Sequence, residues 1–189
     1  MSAPDFAVCV YCGSRFGAKD TYRIAASALG TAIATEGWQL VYGAGDVGLM
    51  GETARQAQAA GGDTLGVIPT HLMALEVGKR DLTRFIVTET MHERKKVMFM
   101  NAHAIIVQPG GAGTLDEFFE VLTWKQLGLH DKPVILLNID GFWSPLVTAI
   151  DQIIDQGFAE PSLREKFTVV ESTDAAIDLL RRFRKASKE

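Results

Sequence analysis

Short apolar runs alternate along the chain with stretches whose apolar residues recur at helical spacing. Phe6 to Cys12 is a strand-like run closed by Gly13-Ser14. Ala18 to Glu36 follows with Ile24, Ala28, Leu29, Ala32 and Ile33 on a helical period, and Gly37 stops it. The same alternation predicts strands over 38–42, 63–68, 85–88, 104–108, 134–138 and 168–170. It predicts helices over 49–60, 91–101, 114–127, 142–156 and 174–184, and leaves 70–82 irregular. Ile105 to Val107 and Val134 to Leu137 are apolar at every position, the pattern of strands buried on both faces. Alternating strands and helices of this kind define an α/β fold. The expectation is a three-layer, Rossmann-like arrangement with a mostly parallel central sheet and helices on both faces.

Composition narrows the class. The 189 residues fit one domain at roughly 100–200 residues per domain, and no repeat or linker marks a boundary, so 1–189 reads as a single domain. A formal net charge of −4 disfavours general binding to nucleic acid, whose phosphate backbone needs basic surface. No apolar run approaches the ~18–20 residues of a membrane span, and the first residues carry no secretory pattern. Two cysteines make no disulfide framework. The expectation is a cytoplasmic protein that binds neither nucleic acid nor membrane.

Ligands of parallel sheets bind beyond the carboxyl ends of the strands, which selects the loops after Cys12, Gly43 and Pro109. Gly43-Ala-Gly45-Asp-Val-Gly48 matches the dinucleotide pattern G-x-G-x-x-G. It follows the second strand rather than the first, however, and Asp46 would set a negative charge against a pyrophosphate. A tight turn letting backbone approach a ligand or a neighbour explains it as well.

Pro109-Gly110-Gly111-Ala112-Gly113-Thr114 is the stronger signal. Successive glycines before a helix expose N–H groups where the helix end is positive, which makes an anion site. No Gly-Lys-Ser/Thr follows, so one monophosphate is the natural ligand; a glycine turn for close packing is the alternative. Asp116 and Glu117 come next, expected in the first turn of that helix. There they either complement its dipole or stand beyond a bound phosphate, facing an attached ribose. Met91-His-Glu-Arg94-Lys95-Lys96 sets three cations near a helix start, against the dipole. That suits an anionic ligand, with Arg94 as a bidentate donor, or else a solvated charged face. Residues 79–96 carry six cations against three acids, a local basic segment in an acidic chain.

Cys9 and Cys12 form C-x-x-C within a strand, where odd spacing sends the side chains to opposite faces, so Cys9 is read as core. The four histidines lack metal-ligand spacing, and no metal or redox cofactor is called for. The 114–127 helix is apolar on more than one face, which means deep burial or a subunit contact.

Pro-Gly-Gly-Ala-Gly-Thr-Leu-Asp-Glu over 109–117 resembles the P-G-G-x-G-T-x-x-E motif of the LOG ("Lonely Guy") family. These are the cytokinin riboside 5′-monophosphate phosphoribohydrolases, often mislabelled lysine decarboxylases. Met91-His-Glu-Arg-Lys95 looks like the family's M-H-x-R-K motif. Val10-Tyr-Cys-Gly13-Ser14, Gly48-Leu-Met-Gly51, Leu122-Thr-Trp-Lys-Gln-Leu-Gly128 and Asn138-Ile-Asp-Gly-Phe142 are similar to further family segments.

The resemblance implies a Rossmann-like homodimer, or an assembly of dimers, with active sites near the dimer interface. It implies an essential pair at Arg94 and Glu117, and nucleotide contacts at Arg94-Lys95, Gly110 to Thr114 and Thr123. A further family glutamate matches Glu76. Gly43-Ala-Gly45-Asp46 departs from the family's usual Gly-Gly-Gly-Ser/Thr. The implied reaction is hydrolysis of the N-glycosidic bond of an N6-modified AMP, and of AMP itself, giving free base and ribose 5-phosphate. Two other readings stay open: a broader purine monophosphate nucleosidase, and a non-catalytic nucleotide or cofactor carrier. A decarboxylase is disfavoured, because no lysine stands out in a strand-end loop to form a Schiff base.

Overall fold

A computed structural model describes residues 4–73 and 81–186. The expected alternation is present as β1 (Ala7–Tyr11), α1 (Asp20–Thr35), β2 (Gln39–Tyr42), α2 (Gly48–Ala59), β3 (Thr64–Pro69), β4 (Arg84–Thr88), α3 (Met91–Met100), β5 (Ala104–Val107), α4 (Ala112–Gln126), β6 (Val134–Leu137), α5 (Ser144–Asp155), β7 (Thr168–Val170) and α6 (Thr173–Ala186). Among the described residues the strands form one seven-stranded sheet in the order β4-β3-β2-β1-β5-β6-β7. Every pairing in it is parallel.

Burial explains the sheet. Alternate strand residues feed two separate apolar cores, one on each face. Val8, Val10, Leu40, Ile106 and Leu137 pack with α1, α2 and α6. Ala7, Cys9, Val41, Ile105, Val107 and Leu136 pack with Met98 of α3, Phe118 and Leu122 of α4, and Ile150 of α5. Cys9 and Cys12 fall in different cores, as their odd spacing requires, and both are free thiols. Among the described residues, no helix is long and apolar enough to cross a membrane.

Local chemistry moves several boundaries. Helix α4 begins at Ala112, and Gly111 is its N-cap. Asp116 and Glu117 therefore stand in its second turn rather than its first, and the helix has no acid of its own at its positive end. A backbone that turns helical directly after two glycines accounts for the shift, because glycine supplies the non-helical cap conformation without a side-chain oxygen.

Helix α3 starts with its cations as expected, and a capping box offsets them. Thr90 Oγ1 accepts from the Glu93 N–H at 3.2 Å, and Glu93 Oε2 accepts from the N–H of Thr90 at 3.1 Å and of Glu89 at 2.8 Å. The Thr90-x-x-Glu93 spacing is the sequence sign of that device.

Candidate active site

The chain runs outward from β1 through β2, β3 and β4, then returns through α3 to place β5 on the other side of β1. Loops leaving β1 and β5 diverge there, and a crevice opens at the carboxyl edge of the sheet. It is a cleft of about 490 Å³, within the usual range for a small-ligand site. Its walls come from the loop after β1, the Pro109–Thr114 loop, the start of α2, Met91 and Arg94 of α3, Asp116 and Glu117 of α4, and Phe142.

The Pro109–Thr114 loop is locked to the loop after β1. Gly13 N donates to the Pro109 carbonyl at 3.0 Å. A Cβ on Gly110 would lie 2.1 Å from Thr114 Oγ1, so the absence of a side chain at 110 lets the buried Thr114 fold back over the turn. At Gly111 and Gly113 a Cβ would meet nothing within 4 Å, so space for a ligand opens beside them. With no capping side chain and no acid in the first turn of α4, the helix start presents free N–H groups and a positive dipole end to the cleft.

Arg94 is buried, at 6% exposure. Its Nε donates to the Val67 carbonyl at 3.1 Å and its Nη2 to the Gly43 carbonyl at 2.8 Å. A Cβ at position 43 would lie 1.9 Å from Nη2. The glycine turn after β2 thus exists to seat Arg94, and residues 43–48 line no part of the cleft. Two of the guanidinium's faces are occupied by backbone, so it meets the cleft through what remains, chiefly Nη1 beside Met91. Ala44 has φ 59° in this turn, the left-handed region, at a cost of about 1–2 kcal/mol for a non-glycine residue. Asp46 turns away to α2, where its Oδ1 accepts from Arg55 Nη1 at 2.9 Å.

Glu117 stands on the second turn of α4 at the cleft wall. Burial pushes its carboxyl up to about 7; the Arg94 guanidinium pulls it back down, and Asp116 adds to the rise. Its neighbours Tyr11 and Cys12 are themselves held neutral by burial and by Glu117. The result is a carboxyl poised to hold or release a proton near neutral pH, next to one guanidinium.

Lys95 faces the other way. Its ammonium binds Asp116 at 2.9 Å and Glu120 at 3.2 Å. Burial would lower its pKa, but the two hydrogen bonds outweigh that and raise it. The rest of the basic segment also diverges: Arg84 approaches Asp63 at 3.8 Å, and Lys79 and Arg80 lie outside the described residues.

Of the sequence-selected residues, the cleft gathers Arg94, Glu117, Gly13, Ser14 and Pro109 to Thr114. Gly45 is buried in the turn behind Arg94, Lys95 is spent on α4, and Thr123 is exposed further along α4. Glu76 lies outside the described residues. Sequence reasoning missed Arg15, Phe16, Tyr22, Leu49, Met50, Met91 and Phe142 as lining residues. Arg15 and Phe16 had a signal, since they continue the Gly13-Ser14 loop at a strand's carboxyl end. Phe142 ends the Asn138–Phe142 segment similar to the family, but nothing local placed it at the cleft, because its position depends on an edge contact with Tyr22 at 5.6 Å between ring centroids. Among the described residues no group of His, Cys, Asp and Glu could hold a metal ion.

Fold and cleft together define a parallel α/β protein with a crevice at the sheet's switch point, an uncapped helix start at its edge and a carboxyl–guanidinium pair inside it. Residues 50–180 match the model of a family described as "Possible lysine decarboxylase". Among characterised relatives, the cytokinin riboside 5′-monophosphate phosphoribohydrolase LOG5 of Arabidopsis thaliana is 46% identical over 160 residues, 85% of this chain and 70% of the relative. LOG7 of the same plant is 42% identical over 182 residues, 96% of this chain and 82% of the relative. The chain belongs to this LOG family. Among solved structures, the molybdenum cofactor binding protein of Rippkaea orientalis superposes with a TM-score of 0.74 at 25% identity, over 96% of this chain and 99% of that one. The Moco carrier protein of Chlamydomonas rheinhardtii gives a TM-score of 0.71 at 23% identity, over 94% and 96%, which is a likeness of fold.

Proposed function

We propose that the protein hydrolyses the N-glycosidic bond of purine nucleoside 5′-monophosphates, cytokinin riboside monophosphates foremost, releasing the base and ribose 5-phosphate. The observation that carries this reading is Glu117 beside Arg94, one helical turn beyond an uncapped glycine-rich helix start in a single cleft. The 5′-phosphate lies on the N–H groups of the Gly111–Thr114 turn, which anchors the ribose and orients C1′. As the C1′–N bond breaks, its electron pair leaves with the base and positive charge develops on the ribose ring, as in other glycoside hydrolyses. The Glu117 carboxylate faces that charge and takes the proton of the water that attacks C1′, while the departing base anion takes up a proton from solvent, so that one water is consumed. Arg94, immobilised on two carbonyls, holds Glu117 partly ionised at neutral pH despite its burial.

Decarboxylation of lysine through a pyridoxal Schiff base lacks its nucleophile here. No described residue lining the cleft is a lysine, and Lys95 is held as an ion-paired ammonium. The exposed apolar side chains of Phe119 on α4 and Leu127 at its C-cap, together with Met100 and Leu129, form the face through which two copies pair in the cytoplasm.

The test is a substrate panel of AMP, GMP and isopentenyladenosine monophosphate, with base release followed by chromatography. Glu117→Gln and Arg94→Ala are expected to lose about 10²–10³ in kcat with circular dichroism unchanged. Near-wild-type turnover by either variant would refute the assignment, and tight binding without turnover by the wild type would favour a carrier.

A further inference from the structure

Among the described residues, two cations line the cleft, Arg15 and Arg94. Arg94 is not free to neutralise a phosphate: its Nε and Nη2 are tied to the carbonyls of Val67 and Gly43, and its charge acts on Glu117. Lys95 does not line the cleft, and its charge is matched by Asp116 and Glu120. Of the two carboxyl groups that line the cleft, Asp116 is paired with Lys95, and Glu117 adds no positive charge. A helix start supplies only about half a positive charge, against nearly two negative charges on a phosphomonoester at neutral pH. The described cleft would therefore be under-charged for a phosphate without one further cation.

Arg15 is that group. It is exposed, and no ion pair or hydrogen bond engages its guanidinium among the described residues. Its backbone, by contrast, is fixed. Gly48, with φ 59° and no Cβ, lets Ser14 and Arg15 pass so closely that a Cβ there would lie 2.3 Å from Arg15 N. The Gly13 carbonyl accepts from Leu49 N at 3.1 Å, while Gly13 N donates to Pro109. The loop carrying Arg15 is thus clamped between the start of α2 and the phosphate turn, with a free, planar two-pronged donor at its tip.

We infer that Arg15 closes on the substrate's 5′-phosphate, completing the anion site opposite the Gly111–Thr114 turn and making the protein selective for phosphorylated over unphosphorylated ribosides. This rests on the proposed reading of the cleft as a nucleotide monophosphate site.

Binding of ribose 5-phosphate measured by calorimetry in a Glu117→Gln background separates this inference from the proposed reaction, since no turnover is involved. Adding Arg15→Gln is expected to weaken binding by about tenfold or more. Arg15→Lys should recover part of the loss, and Arg23→Gln, an exposed arginine of α1 outside the lining, should change nothing. In the active protein, Arg15→Gln should raise KM for isopentenyladenosine monophosphate more than it lowers kcat, and should narrow the preference over isopentenyladenosine. Arg15-dependent binding of ribose 5-phosphate without any nucleotide turnover would sink the proposed reaction and leave the anion site standing. Binding within twofold of the parent in the Arg15→Gln variant overturns the inference, and so does a parent that fails to bind ribose 5-phosphate at all.

Discussion

Replacing Glu117 by glutamine should make the protein more stable and less active at once. The carboxyl is held at about 7 by burial, against an ordinary value of 4.5, so folding favours its protonated form. Below pH 4.5 the group is protonated in both states and contributes no difference. As pH rises towards 7 the unfolded chain ionises freely while the folded one resists, and stability is lost across that window. At ~1.4 kcal/mol per pKa unit the loss approaches about 3 kcal/mol above pH 7. Glutamine keeps the shape and removes the charge. Glu117→Gln should therefore exceed the wild type by up to about 3 kcal/mol at pH 8.5, roughly 6–12 °C in Tm for a chain of this size. At pH 5 the gain should shrink below about 1 kcal/mol. Urea unfolding of both proteins at the two pH values measures it. A gain independent of pH, or a wild type that is the more stable at pH 8.5, would show that Arg94 fully compensates the buried charge and would refute the reasoning.

Other consequences are as direct. Gly43→Ala forces a methyl group against Arg94 Nη2 and should cost turnover nearly as much as Arg94→Ala, about 10²-fold, read as kcat on a purine monophosphate. Lys95→Met leaves Asp116 and Glu120 without their shared cation and should lower stability by about 1–2 kcal/mol in urea unfolding. His103 Nδ1 accepts the Ala7 N–H at 2.9 Å, and burial first, then Lys132, lowers its pKa below 6.5. The stability it contributes is present above pH 6.5 and lost as pH falls through the folded value, so the wild type should lose more than His103→Gln between pH 7 and 5. Leu127→Glu, at the exposed C-cap of α4, should shift light-scattering mass from dimer to monomer.

The layered fold was legible because the strands at 105–107 and 134–137 are apolar on both faces, and the punctuating glycines fall where helices end. The glycine turn at 109–114 was legible for the same local reason, since it separates a buried strand from a helix start. Motif resemblance singled out Arg94 and Glu117, and the fold brings both to one cleft, but their states were not legible. That Arg94 is seated on Gly43 and Val67 depends on β2, β3 and α3 meeting, which no local pattern encodes. The G-x-G-x-x-G pattern misleads in isolation because the same steric permission serves an arginine as readily as a pyrophosphate. Lys95 illustrates the limit from the other side: adjacent in sequence to Arg94, it points to α4 because consecutive helical residues diverge by about 100°.

Incubating purified protein with isopentenyladenosine monophosphate and quantifying both products decides whether the cleft hydrolyses the bond at C1′. Free isopentenyladenine and ribose 5-phosphate should accumulate in equal amounts, and Glu117→Gln should abolish both. Nucleotide bound and recovered intact, or base released equally by the Glu117→Gln variant, would contradict hydrolysis at this carboxyl.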